Sequence, residues 1–221
     1  MTKILWITLL IFFQPIPSEA GVLKFCQILM VKLGVLNPLA PKMPEGIGYP
    51  NRFLEKDVRD NVLVYSGKEW VYLNNPTRIE IDRSIKTRDG EQVIDLDYLD
   101  FPGTDKNAEV LVMYVITLDG KLILGKEVSP SIFTSYEGRI KKMPHSTLAS
   151  ADGEIRRVLG AGEVVIKKGK IFRVNNSSGH FPSGSEVIPL ISRTLEKYRR
   201  LFHPDYHGVE DVSNPPSQRA K

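Results

Sequence analysis

Cysteine is almost absent from this 221-residue chain: Cys26 stands alone, so no intrachain disulfide can brace the fold. No Cys-x-x-Cys pair is available for zinc or redox work. Cys26 is also no lipoprotein attachment site, because Leu23-Lys24-Phe25 puts a charge and an aromatic where small residues are needed. A Gly-rich phosphate cradle and a Gly-x-Ser-x-Gly elbow are both missing, which removes the common nucleotide and hydrolase signatures. After residue 20 no apolar run is long enough to span a bilayer. Charge of one sign is scarce too: 30 Lys and Arg against 26 Asp and Glu leave a formal net charge of +4. So mild an excess specifies no partner. Its clearest concentration, residues 193–200, has no neighbouring aromatic platform in sequence, a poor signal for nucleic acid.

What is present begins with an address. Lys3 precedes an apolar run at residues 4–13, then come Pro15 and Pro17, and Ser18-Glu19-Ala20 supplies small residues at the exit. That order describes a secretory signal peptide and predicts cleavage after Ala20, hence a secreted or periplasmic protein. The remaining chain, about two hundred residues, suffices for one domain with its own core.

The expected fold is α+β: a single domain over 21–202, mostly antiparallel sheet built from hairpins, with a C-terminal amphipathic helix packed on it and a flexible tail at 203–221. Residues 21–35 are strongly apolar and would suit a short buried helix, and a Pro-rich connection fills 37–50. Residues 52–60 carry a marginal helical signal; 62–65 and 70–73 pair as strands around Ser66-Gly67. Residues 79–92 read as loop with some strand, and Ile94, Leu96 and Tyr98 alternate with Asp95 and Asp97 as a strand with one wet face. Residues 110–118 form an apolar, β-branched central strand that Asp119-Gly120 turns as a type I′ hairpin into 121–125. A second hairpin at 161–176 turns at Lys168-Gly169. A uniform register there sets Gly162 opposite Asn175 and Gly160 opposite Ser177. In the last helix Ser185 is the expected cap, Pro189 falls in the first turn, and Ile188, Ile191, Leu195, Tyr198 and Phe202 share one face.

Two polar loops carry the candidate chemistry, His145-Ser146-Thr147 and Ser177-Ser178-Gly179-His180. The hairpin brings them to one end of the sheet. An imidazole there can serve as general base and a hydroxyl as nucleophile or orienter, with Ser146–His180 or Ser178–His145 the natural cross-loop pairs and Glu163 or Asp152 an orienting carboxylate. The same residues fit equally a polar network that only fixes the loops, since buried polar groups must be paired whether or not they catalyse. Asp95, Asp97 and Asp100 fit a solvated face better than a cation site. His203 and His207 would need a continuous helix to share a metal, and Pro204 forbids it. No metal and no particular cofactor is implied. Asn175 and Asn176 each open an Asn-x-Ser sequon.

His145-Ser146, Ala161-Gly162-Glu163 with Val164-Val165-Ile166, Lys168-Gly169-Lys170-Ile171 and Ser178-Gly179-His180-Phe181-Pro182 together resemble a known module. It occurs in plant calmodulin-binding proteins that carry an IQ motif and in bacterial and fungal proteins, some of them secreted or effector-like. The likeness covers about residues 110–200. Phe181 stands where the family usually has Tyr, so any role of that hydroxyl is lost here. No segment reads as an IQ motif, so calmodulin binding does not carry over. An ADP-ribosyltransferase-like activity, with His145 and Ser146 near a nicotinamide, would be supported by a Glu-x-Glu element, and the chain has none. The resulting expectation is a secreted, effector- or toxin-like protein whose partner is a small molecule or a host protein, with a ligand or catalytic site at His145, Ser146, Ser178 and His180. The alternative is a non-enzymatic extracytoplasmic interaction protein in which those residues brace the loops.

Overall fold

The computed structural model describes residues 45–60, 62–99, 108–126, 144–150, 153–181 and 184–213. The signal peptide, the 21–35 helix, Asp100 and Asp152 lie outside them. The organising element is the strand Glu109–Ile116, which runs between two antiparallel neighbours, Leu122–Gly125 and Gly160–Lys167. Its burial alternates at first and then becomes continuous from Val112 to Ile116, as expected of a central strand covered on both faces. Val110, Val112, Tyr114 and Ile116 face one core; Met113 and Val115 face another.

Numbered along the chain, the strands are β1 (Leu63–Tyr65), β2 (Trp70–Tyr72), β3 (Ile79–Glu80), β4 (Ile85–Arg88), β5 (Glu91–Ile94), β6 (Glu109–Ile116), β7 (Leu122–Gly125), β8 (Gly160–Lys167), β9 (Lys170–Asn175) and β10 (Val209–Glu210). The helices are α1 (Leu54–Arg59), α2 (Ile81–Ser84), α3 (His145–Ala149) and α4 (Ile188–Glu196). The main sheet has the order β10-β9-β8-β6-β7-β3, antiparallel except for the β10–β9 edge, and β1–β2 and β4–β5 are separate hairpins. The fold is thus α+β in a single domain, with the C-terminal helix present. On one face Ile191 and Leu195 of α4 pack with Val164, Ile166 and Val174. On the other, Leu148 and Ala149 of α3 pack with Val158, Ala161, Ile123 and Phe181. The second face carries both polar loops, because α3 begins with His145 and Phe181 follows His180.

Several local expectations change. The β6–β7 connection is a three-residue loop, with Thr117 N donating to the Lys121 carbonyl at 3.0 Å and a positive φ at Gly120 (76°) but not at Asp119. It is therefore a turn followed by a left-handed glycine, and not the type I′ form. Positive φ at both central residues occurs instead at Lys168-Gly169, where the turn was expected, and at Asp89-Gly90, where it builds the β4–β5 hairpin from Ile85 to Ile94, in and just past the 79–92 segment read as loop with some strand. The alternating stretch after Ile94 is not a strand. The Asp95 carboxylate accepts its own chain's Asp97 N–H at 3.3 Å, and a 3-10 turn follows at Leu96–Leu99.

The β8–β9 register slips by one between Val165 and Ile166. Phe172 is the extra residue of this bulge, so Asn175 pairs with Glu163 and not with Gly162. Ser185 does not cap the last helix: Gly184 precedes a 3-10 turn, Ser185–Val187, with no side-chain cap. Pro189 does fall in the first turn of α4. The helix stops at Glu196 and a second 3-10 turn, Arg199–Leu201, continues it, adding Val187 and Leu201 to the core face while Phe202 is only partly buried. Residues 203–213, read as tail, return to the sheet: β10 lies parallel to β9.

Candidate functional site

The polar cluster on the second face is organised by a residue the sequence did not single out. Asp57 lies on α1 among exposed Glu55, Lys56 and Arg59, yet its own side chain is 1% exposed. The chain folds this way locally because Asn51 Oδ1 accepts the Phe53 N–H at 2.8 Å, an Asx turn that leads into α1. The Asn51 amide then reaches forward to Asp57. The β1–β2 hairpin closes against the end of α1, with Val62 N on the Asp57 carbonyl at 3.0 Å.

Both oxygens of the Asp57 carboxylate are occupied. His180 Nε2 meets Oδ1 at 2.9 Å. Oδ2 accepts the Asn51 amide at 2.8 Å, the Tyr72 hydroxyl at 2.7 Å and the Ser146 hydroxyl at 2.9 Å. The Asn51 amide also lies 2.6 Å from the Tyr72 hydroxyl. All five residues are buried. Burial alone would raise the Asp57 pKa; the hydrogen bond and charge of His180, with the hydrogen bonds from Tyr72 and Asn51, outweigh it and hold the carboxyl below its ordinary value. The Tyr72 phenol is pushed far above its ordinary range by burial and by the adjacent Asp57 charge, so it remains a donor.

The structure divides the predicted site residues. Ser146 and His180 do come together, but through opposite oxygens of one carboxylate and not by a direct bond. His145 engages the Gly162 carbonyl at 2.8 Å through Nε2. Ser178 takes no part in the cluster: its oxygen accepts the Phe181 N–H at 3.2 Å and shapes the turn. Glu163 orients no imidazole; it accepts the Asn175 amide at 3.2 Å. The two sequon asparagines are structural. Asn175 Oδ1 accepts the N–H groups of Glu163 and Ser177, while Asn176 is fully buried and bonded to Asp211 and Val212 N. His203 stacks edge-on against Phe172 at 5.2 Å and accepts the Asp205 N–H. Asp95 holds Lys86 at 2.6 Å. Among the described residues no group of three or more His, Cys, Asp or Glu is arranged to hold a metal, and no helix is long and apolar enough to cross a membrane.

At the rim, Phe53 meets the His180 ring edge-on at 5.7 Å and Arg52 N donates to the His180 carbonyl at 2.8 Å. A small apolar cavity exists elsewhere, among Ile81, Ile94, Leu122, Leu124, Val164 and Leu195. Its walls belong to the α4 side of the sheet and include no member of the Asp57 cluster. The residues missed by sequence reasoning are Asp57, Tyr72 and Asn51. Asn51 leaves a trace, an Asx residue three positions ahead of the helix start at Leu54. Asp57 leaves none, since a charged segment reads as a wet surface.

The arrangement supplies an ionised, desolvated carboxylate against an imidazole, the elements of an acid–base pair. It does not supply a serine relay, in which the imidazole would stand between hydroxyl and carboxylate. Comparison with protein-family models, curated proteins and solved structures returns no match to this chain.

Proposed function

We propose that this chain is a secreted, effector- or toxin-like protein that takes a ligand, a small molecule or part of a host protein, at the Asp57–His180 pair and acts on it by acid–base chemistry. The observation that supports this most is the convergence of donors from four separate segments on one buried carboxylate, with His180 holding an oxygen to itself. Buried charge is costly, and buried carboxylates with a specific charge partner concentrate at working sites. Ser146 acts as a donor to Asp57, and His145 steadies α3 against β8.

The test is a small-molecule screen, NAD included, on the mature protein and on His180→Gln. A ligand that raises the melting temperature of the parent but not of His180→Gln, with the variant's own melting little changed, is the expected result. A variant that responds to the ligand like the parent but is itself less stable by roughly 1–3 kcal/mol, the cost of an unsatisfied buried partner, would end the acid–base reading. That outcome favours the second reading, a non-enzymatic extracytoplasmic interaction protein, for which the His145 bond to the Gly162 carbonyl and the buried Ser146 hydroxyl already speak. The export component rests on residues 1–20. N-terminal sequencing of exported protein should begin at Gly21; a mature species retaining Met1 would overturn it.

A further inference from the structure

We propose that Asp57 is the positioning residue of this site: its Oδ1 holds His180 as the Nε2–H tautomer and leaves Nδ1 as the nitrogen that exchanges a proton with a ligand. The inference rests on the acid–base reading and names the reactive atom within it. An ionised carboxylate can only accept hydrogen bonds, so the 2.9 Å contact requires the hydrogen on Nε2. Oδ2 already accepts three donors, from Asn51, Tyr72 and Ser146, so no proton is readily stored there. The imidazole's second nitrogen then carries the lone pair whenever the ring is neutral.

Where that nitrogen points follows from the hydrogen-bond inventory. Among the described residues no fully buried side-chain nitrogen or oxygen lacks a partner. The ring's own hydrogen bond is the one to Asp57, so Nδ1 is not sealed in the core and keeps some contact with solvent. The ring is kept in this attitude from both sides of its own residue. The His180 carbonyl takes Arg52 N at 2.8 Å, and the ring lies edge-on to Phe53 at an interplanar angle of 78°. A water or a ligand X–H group reaching Nδ1 would give its proton to that lone pair, the bonding electrons staying behind on hydroxide or the ligand's conjugate base, while the other hydrogen stays on Nε2, bonded to Asp57, and the imidazolium charge faces the carboxylate. Return of the proton from Nδ1 closes the cycle, with no other reactant needed. Ser146 is excluded as the nucleophile activated by this base, because its hydroxyl hydrogen is directed to Oδ2.

The test is nitrogen-detected NMR of the full mature chain with labelled histidine, His180→Gln providing the assignment. At a pH where the ring is neutral, His180 should show a bare Nδ1 and a protonated Nε2. Asp57→Asn, whose amide can donate as well as accept, should mix or reverse the two forms. Should Asp57→Asn fail to fold, carbethoxylation of the folded parent supplies the second readout: His180 should react, with exposed His207 as the positive control. A parent with its hydrogen on Nδ1, or a His180 that stays unreacted while His207 is modified, would overturn the proposal. The expected tautomer together with a ligand screen blank for parent and variant alike would sink the acid–base reading while leaving the role of Asp57 intact, so the two failures are distinct.

Discussion

A carboxylate at 1% exposure is tolerable only because its hydrogen bonds are made, four donors to two oxygens, and the balance is easily upset. Removing the acceptor takes a partner from four buried donors at once and leaves Asn51 and Tyr72 only their contact with each other. Asp57→Ala should therefore lower the unfolding free energy by about 3–5 kcal/mol in urea titrations, against about 1.5–3 for Ser146→Ala, which removes one bond to a charged group. Acid provides the complementary measurement. The folded pKa of Asp57 is depressed, so its contribution is present above the unfolded carboxylate value of about 3.9 and is lost as pH falls through the lower folded value. Between pH 5 and pH 2, both taken as approximate limits, stability should fall more steeply with acid in the parent than in Asp57→Asn. Equal slopes would mean that Asp57 is not held ionised by its partners.

Among the elements, β8 and β9 bear the closest approach. A Cβ on Gly162 would stand 2.0 Å from the Asn175 carbonyl oxygen and 2.9 Å from the Tyr114 hydroxyl, which itself donates to that carbonyl at 2.9 Å. Backbone cannot yield as a side-chain tip does, so Gly162→Ala should cost roughly 1–3 kcal/mol or more through overpacking. Gly179 is the control, because a Cβ there meets nothing within 4 Å. Gly179→Ala should stay within about 0.5 kcal/mol of the parent in the same melts. If both glycines respond alike, the tight contact at Asn175 is not what sets the cost. The bulge at Phe172 belongs to the same account: one extra residue shifts Asn175 onto Glu163, and Gly162 falls one place beyond the last β8–β9 pair, where its carbonyl meets His145. A one-residue slip in a ladder thus alters which backbone group a candidate site residue can hold.

At the scale of the molecule, the site is closed by segments far apart in the chain. Asn51 and Asp57 come from before the sheet, Ser146 from its middle and His180 from after β9. The last described segment closes the same end differently. β10 adds a parallel edge to β9, and the buried Asn176 accepts Val212 N at 2.9 Å and donates to Asp211 at 3.1 Å. Ending the chain after Gly208 should therefore cost about 1–3 kcal/mol, as Asn176 loses two of its partners in the interior. Differential scanning calorimetry of the shortened protein reads this directly. An unchanged transition would show that the edge strand contributes nothing to stability.

The sequence by itself determined the features whose code is local. Alternation and β-branching marked β1, β2 and β6. Lys168-Gly169 marked a two-residue turn, and both positions adopt positive φ. The spacing of Ile191 and Leu195, continued by Tyr198 just past the helix, marked the buried face of α4. It also brought His180 and Ser146 under suspicion, since hydroxyls and imidazoles in loops are scarce and chemically able. Tertiary structure decided the rest. Asp57 and Asp60 occupy the same short charged stretch, and nothing within three or four residues of either says which one will be surrounded by Asn51, Tyr72, Ser146 and His180. Ser178 and His145 looked like partners and are not; a backbone N–H and a backbone carbonyl claimed them first. The direction a polar group takes inside a protein is set by which donors the distant chain delivers, and a desolvated carboxylate persists only where that delivery is complete.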